Sequence, residues 1–138
     1  MSREIKFRVW DNESECFFQD TNRAYNGVIE QLLISPSGDI NIRKMDGMYH
    51  ESLFPDRFVK QQYTGLNDKN GREIYEGDIV EHEDFSIGCT VDLNITGAVV
   101  MVDGSWCVER GNDGDYLFTE TGTNEIIGNI NESPELLT

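Results

Sequence analysis

Gln62-Tyr63-Thr64-Gly65-Leu66-Asn67-Asp68-Lys69-Asn70-Gly71-Arg72-Glu73-Ile74-Tyr75-Glu76-Gly77-Asp78-Ile79-Val80 is the stretch on which the fold turns. It reads as short strands joined by two tight turns. Asp68-Lys69-Asn70-Gly71 is the first turn, because Asn-Gly readily adopts positive φ. Glu76-Gly77-Asp78 is the second and sends Ile79-Val80 into a new strand.

Outward from this block the pattern stays that of a β protein. Short alternating runs are broken by Gly, Asn, Asp and Ser, and helical periodicity is weak. Ile5, Phe7 and Val9 alternate with Lys6 and Arg8, giving a strand with one apolar and one basic face. Asp11-Asn12-Glu13-Ser14 is a turn and Cys16-Phe17-Phe18 the return strand. Residues 28–34 fit either a strand or a buried helical turn. Ser35-Pro36-Ser37-Gly38-Asp39 is a turn, followed by a hairpin arm through Ile40 and Ile42. Residues 45–57 look irregular. Ala98 to Val102, Asp103-Gly104, then Ser105 to Val108 is the clearest hairpin. Gly111-Asn112-Asp113-Gly114-Asp115 reads as a turn. Tyr116-Leu117-Phe118 and Glu125 to Ile130 read as strands, and Pro134 starts a short terminal helix. Residues 81–96 read as a long acidic loop with one hairpin. The expectation is a mainly β fold. It has a small, SH3-like barrel as its main unit and an N-terminal β-hairpin extension, in one domain over 1–138. Two subdomains, 1–57 and 58–138, are the alternative division.

At 138 residues such a chain buries roughly two-thirds of its unfolded surface and needs no metal or disulfide staple. Two Trp, five Tyr and seven Phe suffice for a small core. No run approaches a membrane span, and Met1-Ser2-Arg3-Glu4-Ile5-Lys6 has no apolar stretch of a secretory signal behind it. Cys16, Cys89 and Cys107 are read as reduced thiols of a cytosolic protein.

The net charge of −15 is uneven. Residues 1–72 hold ten Lys/Arg against eleven Asp/Glu, whereas residues 73–138 hold Arg110 alone against fifteen acids. An anionic half opposes nonspecific nucleic-acid binding, which needs cations to displace phosphate counterions. It suits solubility, attraction to a basic partner, or imitation of a polyanion.

Three blocks resemble the YopX family, small proteins encoded by bacteriophages and prophages. They are Arg3-Glu4-Ile5-Lys6-Phe7-Arg8-Val9-Trp10-Asp11, the central Gln62–Val80 block, and Ile127-Gly128-Asn129-Ile130-Asn131-Glu132-Ser133-Pro134-Glu135-Leu136-Leu137. Asn67, Asn131 and Ser133 stand where many members have Lys, Tyr and Asn, and regions 20–57 and 81–96 have no close counterpart. The resemblance implies a mainly β fold, a phage or prophage origin and action in the host bacterial cytoplasm. It carries no established reaction and no catalytic residue.

The chemistry-bearing residues are sparse. Carboxylates flanking Gly77 suit a divalent ion, but turn chemistry already accounts for Glu76, Gly77 and Asp78. His50 and His82 have no second His or Cys at a zinc-like spacing, so neither a metal nor a cofactor is expected. His82, within Glu81-His82-Glu83-Asp84, reads as part of an exposed acidic loop rather than a general base. No Ser or Cys stands in a nucleophile elbow, and Gly111-Asn112-Asp113-Gly114 would repel phosphate. The leading expectation is a non-enzymatic binding module for a host or phage protein. Glu81, Glu83, Asp84, Asp113 and Asp115 would be its steering charges, and exposed aromatics would dock. The alternatives are a nucleic-acid-associated module and an acidic nucleic-acid mimic. The first would use Arg3, Lys6, Arg8, Arg43 and Lys44, with Trp10, Tyr63 and Tyr75 for stacking. Against that face stands a simpler role, in which its cations neutralise the acidic half, within one molecule or between two copies in a homo-oligomer.

Overall fold

The protein is described by a computed structural model over residues 4–84 and 93–138. Strands dominate it, and among the described residues helix is confined to three short 3-10 turns. The chain divides into two compact units, Met1–Phe7 with Gln61–Thr138, and Arg8–Lys60.

In the first unit, β7 (Phe58–Asn67) continues from Gln61 and pairs antiparallel with β8 (Glu73–Tyr75). The turn between them is the expected one. Gly71 has φ +83°. Asp68 receives the amides of Asn70 and Arg72 on Oδ1, both at 2.9 Å, and that of Ile126 on Oδ2 at 3.1 Å. Burial alone would raise the Asp68 pKa. The Arg72, Ile126 and Asn70 amides outweigh it and hold the carboxyl below its usual value. The Glu76–Asp78 turn has Gly77 at φ +86°, with Asp78 Oδ2 accepting from the Tyr75 amide at 2.8 Å.

Beyond that turn lies a five-stranded antiparallel sheet. Its strands are β9 (Asp78–Asp84), β10 (Leu93–Val102), β11 (Ser105–Arg110), β12 (Asp113–Tyr116) and β13 (Gly122–Asn129), in the order β12-β11-β10-β9-β13. The sheet curls into a half barrel. A register shift between Ile126 and Gly128 adds local twist to β13. The Asp103-Gly104 turn takes positive φ at both residues, 49° and 81°, as a tight hairpin requires. Ile74, Val80, Ile95, Val99, Val108 and Leu117 form the core inside the curl.

The expected loop over 81–96 needs correction, because Glu81–Asp84 are strand in β9 and Leu93 onward is strand in β10. Residues 85–92 lie outside the described residues. The turn before β12 is also shorter than expected. It occupies Gly111-Asn112, and the strand ends at Tyr116 rather than running through Phe118.

In the second unit, β1 (Phe7–Asp11) pairs with β2 (Cys16–Phe17) as Trp10↔Phe17 and Asp11↔Cys16. A separate antiparallel sheet runs β3 (Thr21–Arg23), β4 (Val28–Ile34), β5 (Ile40–Lys44), β6 (Gly47–His50). Residues 28–34 are therefore strand, and part of the 45–57 stretch is ordered as β6 and a 3-10 turn at Glu51–Leu53. Buried Asp11 accepts Arg57 Nε and Nη2 at 3.1 Å each, with the Glu13 amide at 2.9 Å. Burial pushes its pKa up, but these donors, Arg57 first, bring it below the usual value. Arg57 also lies over the Phe58 ring, 4.8 Å from its centroid.

Candidate functional site

Alternation along β9 decides what its charged end does. Val80 faces the core, so His82 and Asp84 project to the same side, and Glu81 and Glu83 to the other. His82 is fully buried. The expectation that it sits on an exposed acidic loop is thus overturned, for the simple reason that it shares the face of Val80. Its Nδ1 lies 2.7 Å from Asn124 Oδ1 on β13, and its Nε2 lies 3.0 Å from Asp115 Oδ2 on β12. β9 and β12 are not neighbours in the sheet, so this contact crosses the interior of the curl. Asn124 Nδ2 donates to the Leu117 carbonyl at 2.9 Å, which ties β13 to the segment after β12. Asp84 stands in the same cluster and accepts from Thr121 Oγ1.

The five nominated acids therefore fall into separate groups. Glu81 and Glu83 lie on the outer face, where Glu81 is registered opposite Glu125. Lys69 pairs with Glu125 at 3.0 Å, and its pKa is raised by that bond first and by Glu83 and Glu81 more weakly. Asp84 and Asp115 meet at His82. Asp113 is exposed and stands in register opposite Arg110 in the strand ladder.

Edge strand β12 leads into two exposed aromatics, Tyr116 at 62% and Phe118 at 66% exposure, on either side of fully buried Leu117. The outward face near Tyr116 holds a hollow of about 300 Å³ that includes Cys107, Glu109 and Asp115. Burial pushes the Cys107 thiol up, and the Glu109, Asp115 and Asp103 carboxylates add to this. Such a thiol is a poor nucleophile.

The nominated cations fall in different units. Lys6 belongs to the first unit and Arg8, Arg43 and Lys44 to the second, while Arg3 and Cys89 lie outside the described residues. Lys6 Nζ is 2.6 Å from Glu73 and 3.0 Å from Glu4, and these carboxylates, Glu73 first, raise its pKa. Arg8 lies over Phe17 and Lys44 over Phe54, 4.5 and 5.2 Å from the ring centroids. Arg43 and Lys44 are consecutive in β5, so they point to opposite faces. His50 accepts the Ser52 amide at 3.0 Å and caps a 3-10 turn.

Residue-type spacing missed Asn124, Thr121, Tyr116 and Phe118 as site residues. The signal for His82 was present in the alternation Val80, His82, Asp84. Among the described residues, no helix is long and apolar enough to cross a membrane.

Comparison with known proteins agrees with this architecture. The crystal structure of protein EF1440 from Enterococcus faecalis is similar over 99% of this chain and 100% of that one, with 26% identity and a TM-score of 0.58. Protein yopX from Bacillus subtilis shares the fold over 96% of this chain and 97% of its own, at 22% identity and a TM-score of 0.58. No curated protein matches. The family model described as YopX protein matches residues 6–138. The chain belongs to the YopX family.

Proposed function

We propose that the chain is a phage- or prophage-encoded accessory protein that works by binding a protein partner in the bacterial cytoplasm, without catalysis. The observation that carries this reading is the β12 edge. There, exposed Tyr116 and Phe118 follow closely on exposed Asp113 in a chain of net charge −15. Carboxylates steer a basic partner, and desolvation of the aromatics supplies the affinity. An edge strand also offers unpaired backbone groups to an incoming segment. A non-catalytic role is supported by His82, whose ring nitrogens are both engaged inside the fold, and by the raised pKa of the Cys107 thiol. A nucleic-acid role is disfavoured by the pairing of Lys6 with two glutamates and by the repulsive overall field. The test is capture by the tagged full chain from bacterial lysate, with and without nuclease. The reading requires a stoichiometric protein that survives nuclease. Recovery of nucleic acid, or loss of every partner with nuclease, would sink it.

A further inference from the structure

We propose that the free edge of β12 takes an extended basic segment of the partner as an added strand, and that the hollow at Gly114 seats one Lys or Arg side chain of that segment. The inference rests on the binding-module reading above and gives the partner its chemistry. The Leu117 amide donates to the Trp106 carbonyl at 3.0 Å, one step beyond the Cys107↔Tyr116 pair of the β11–β12 ladder. Hydrogen-bonded and non-bonded pairs alternate along an antiparallel ladder. Asp115 and Asp113 therefore bond to β11, and the backbone groups of Gly114 and Tyr116 point away from it, out from the sheet edge. Asp115 Oδ1 accepts the Tyr116 amide at 2.8 Å. The Gly114 amide and carbonyl have no partner among the described residues. Gly114 thus offers one donor and one acceptor together, which is what an added strand needs.

The side chains beside that edge select the segment. Val108 is buried in the core with Asp115 opposite it, so Cys107, Glu109, Gly114 and Tyr116 share the outer face. They border the hollow of about 300 Å³. Gly114 has no positive φ to require a glycine, and a glycine inside a strand often marks a place where another backbone comes close. A residue of an added strand paired with Gly114 projects its side chain onto this same face, beside Glu109, and the residues two places along meet Tyr116.

Charge complementarity makes that side chain a cation. Asp103, Glu109 and Asp115 border the hollow. Asp115 is committed to His82 and the Tyr116 amide, which leaves Asp103 and Glu109 for an incoming group. Among the described residues no cation pairs with either of them. Arg110, the only Lys or Arg after residue 72, reaches the Thr138 backbone oxygen instead. The Cys107 thiol registers the negative field, being pushed up by burial first and then by Glu109, Asp115 and Asp103. The Tyr116 ring, 62% exposed, offers a face for the charged head and the apolar stem of a Lys or Arg. A second copy of the chain does not fit this edge. Pairing β12 with itself would bring Asp113, Asp115 and Glu109 against the same carboxylates, and like charges across a ladder repel.

The test selects a displayed library of random linear peptides on the folded full chain. The expected result is enrichment of peptides with Lys or Arg at one position of a run of β-branched or aromatic residues. A synthetic copy of the enriched peptide is then the probe. Glu109→Gln and Gly114→Val should each weaken its binding about 10–100-fold, and amide exchange at Gly114 should slow when it binds. Melting of each variant separates lost binding from lost folding, and exposed Glu109 supplies the comparison if Gly114→Val fails to fold. A selection without basic enrichment would overturn the inference. So would a peptide that binds both variants as tightly as the wild type, or that leaves Gly114 exchange unchanged. Lysate capture keeps this inference apart from the reading beneath it. A protein partner held equally by the wild type, Glu109→Gln and Gly114→Val, yet lost by Tyr116→Ala/Phe118→Ala, removes the hollow and leaves the binding module standing. Absence of any protein partner on the wild type sinks both.

Discussion

Asp68 shows how one side chain organises a turn and a distant strand together. Its two oxygens take three backbone amides, two in the turn and one on β13. Asp68→Asn keeps one acceptor but turns an amide donor towards the Ile126 N–H or the turn amides. We expect a loss of about 1–3 kcal/mol, read by urea denaturation. The folded pKa lies below the unfolded value, so the contribution is complete above the unfolded pKa of about 3.8. It disappears as pH falls through the lower folded value. The stability gap between wild type and Asp68→Asn should therefore be constant at neutral pH and narrow in acid, and denaturation across pH measures this. Glycines give a paired comparison. Gly71 has φ +83° with open space around the missing Cβ, so Gly71→Ala should cost about 1–2 kcal/mol in backbone strain. Gly77 has φ +86°, and a Cβ there would run into the buried Gln61 amide, whose Cδ is 2.9 Å away. Gly77→Ala should cost about 2–4 kcal/mol, since crowding adds to strain. Equal losses at the two sites would refute the steric account. These turns were legible in the sequence because their chemistry is local.

Elements were legible where neighbouring residues determined them, and illegible where distant ones did. The β10–β11 hairpin follows from Asp103-Gly104 and its flanking alternation. By contrast, β9 hides its second half, because Glu81-His82-Glu83-Asp84 looks solvated when charge is weighed ahead of period. Only the face shared with Val80 reveals that His82 is inside. Its partners Asp115 and Asn124 lie 33 and 42 residues away, and their convergence depends on the curl of the sheet. Asn124 binds both His82 and the Leu117 carbonyl. Asn124→Ala should thus destabilise the protein by about 1–3 kcal/mol, through a carbonyl and an imidazole left without a partner. Chemical denaturation reads this directly. A neutral result would mean that β13 is held by its ladder alone.

On the scale of the whole chain, short alternating runs broken by turn residues foretold a mainly β fold, and the strands bear it out. The charge count puts the acids in the C-terminal half but did not foretell how they are distributed there. Glu81 and Glu83 face outward, Asp84 and Asp115 converge on His82, and Asp113 stands at the β12 edge. Steering by the outward charges should appear as a partner association rate that falls as salt rises, while dissociation changes little. Stopped-flow or surface-capture kinetics at two ionic strengths would read it. The proposed docking residues are Tyr116 and Phe118, whose exposure makes their truncation harmless to the core. The most direct measurement is nuclease-treated capture from bacterial lysate by the wild-type chain and by a Tyr116→Ala/Phe118→Ala double variant of matched melting temperature. The account predicts a stoichiometric protein partner held by the wild type and lost by the double variant. Nucleic acid as the captured species, or equal capture by the two proteins, would contradict it.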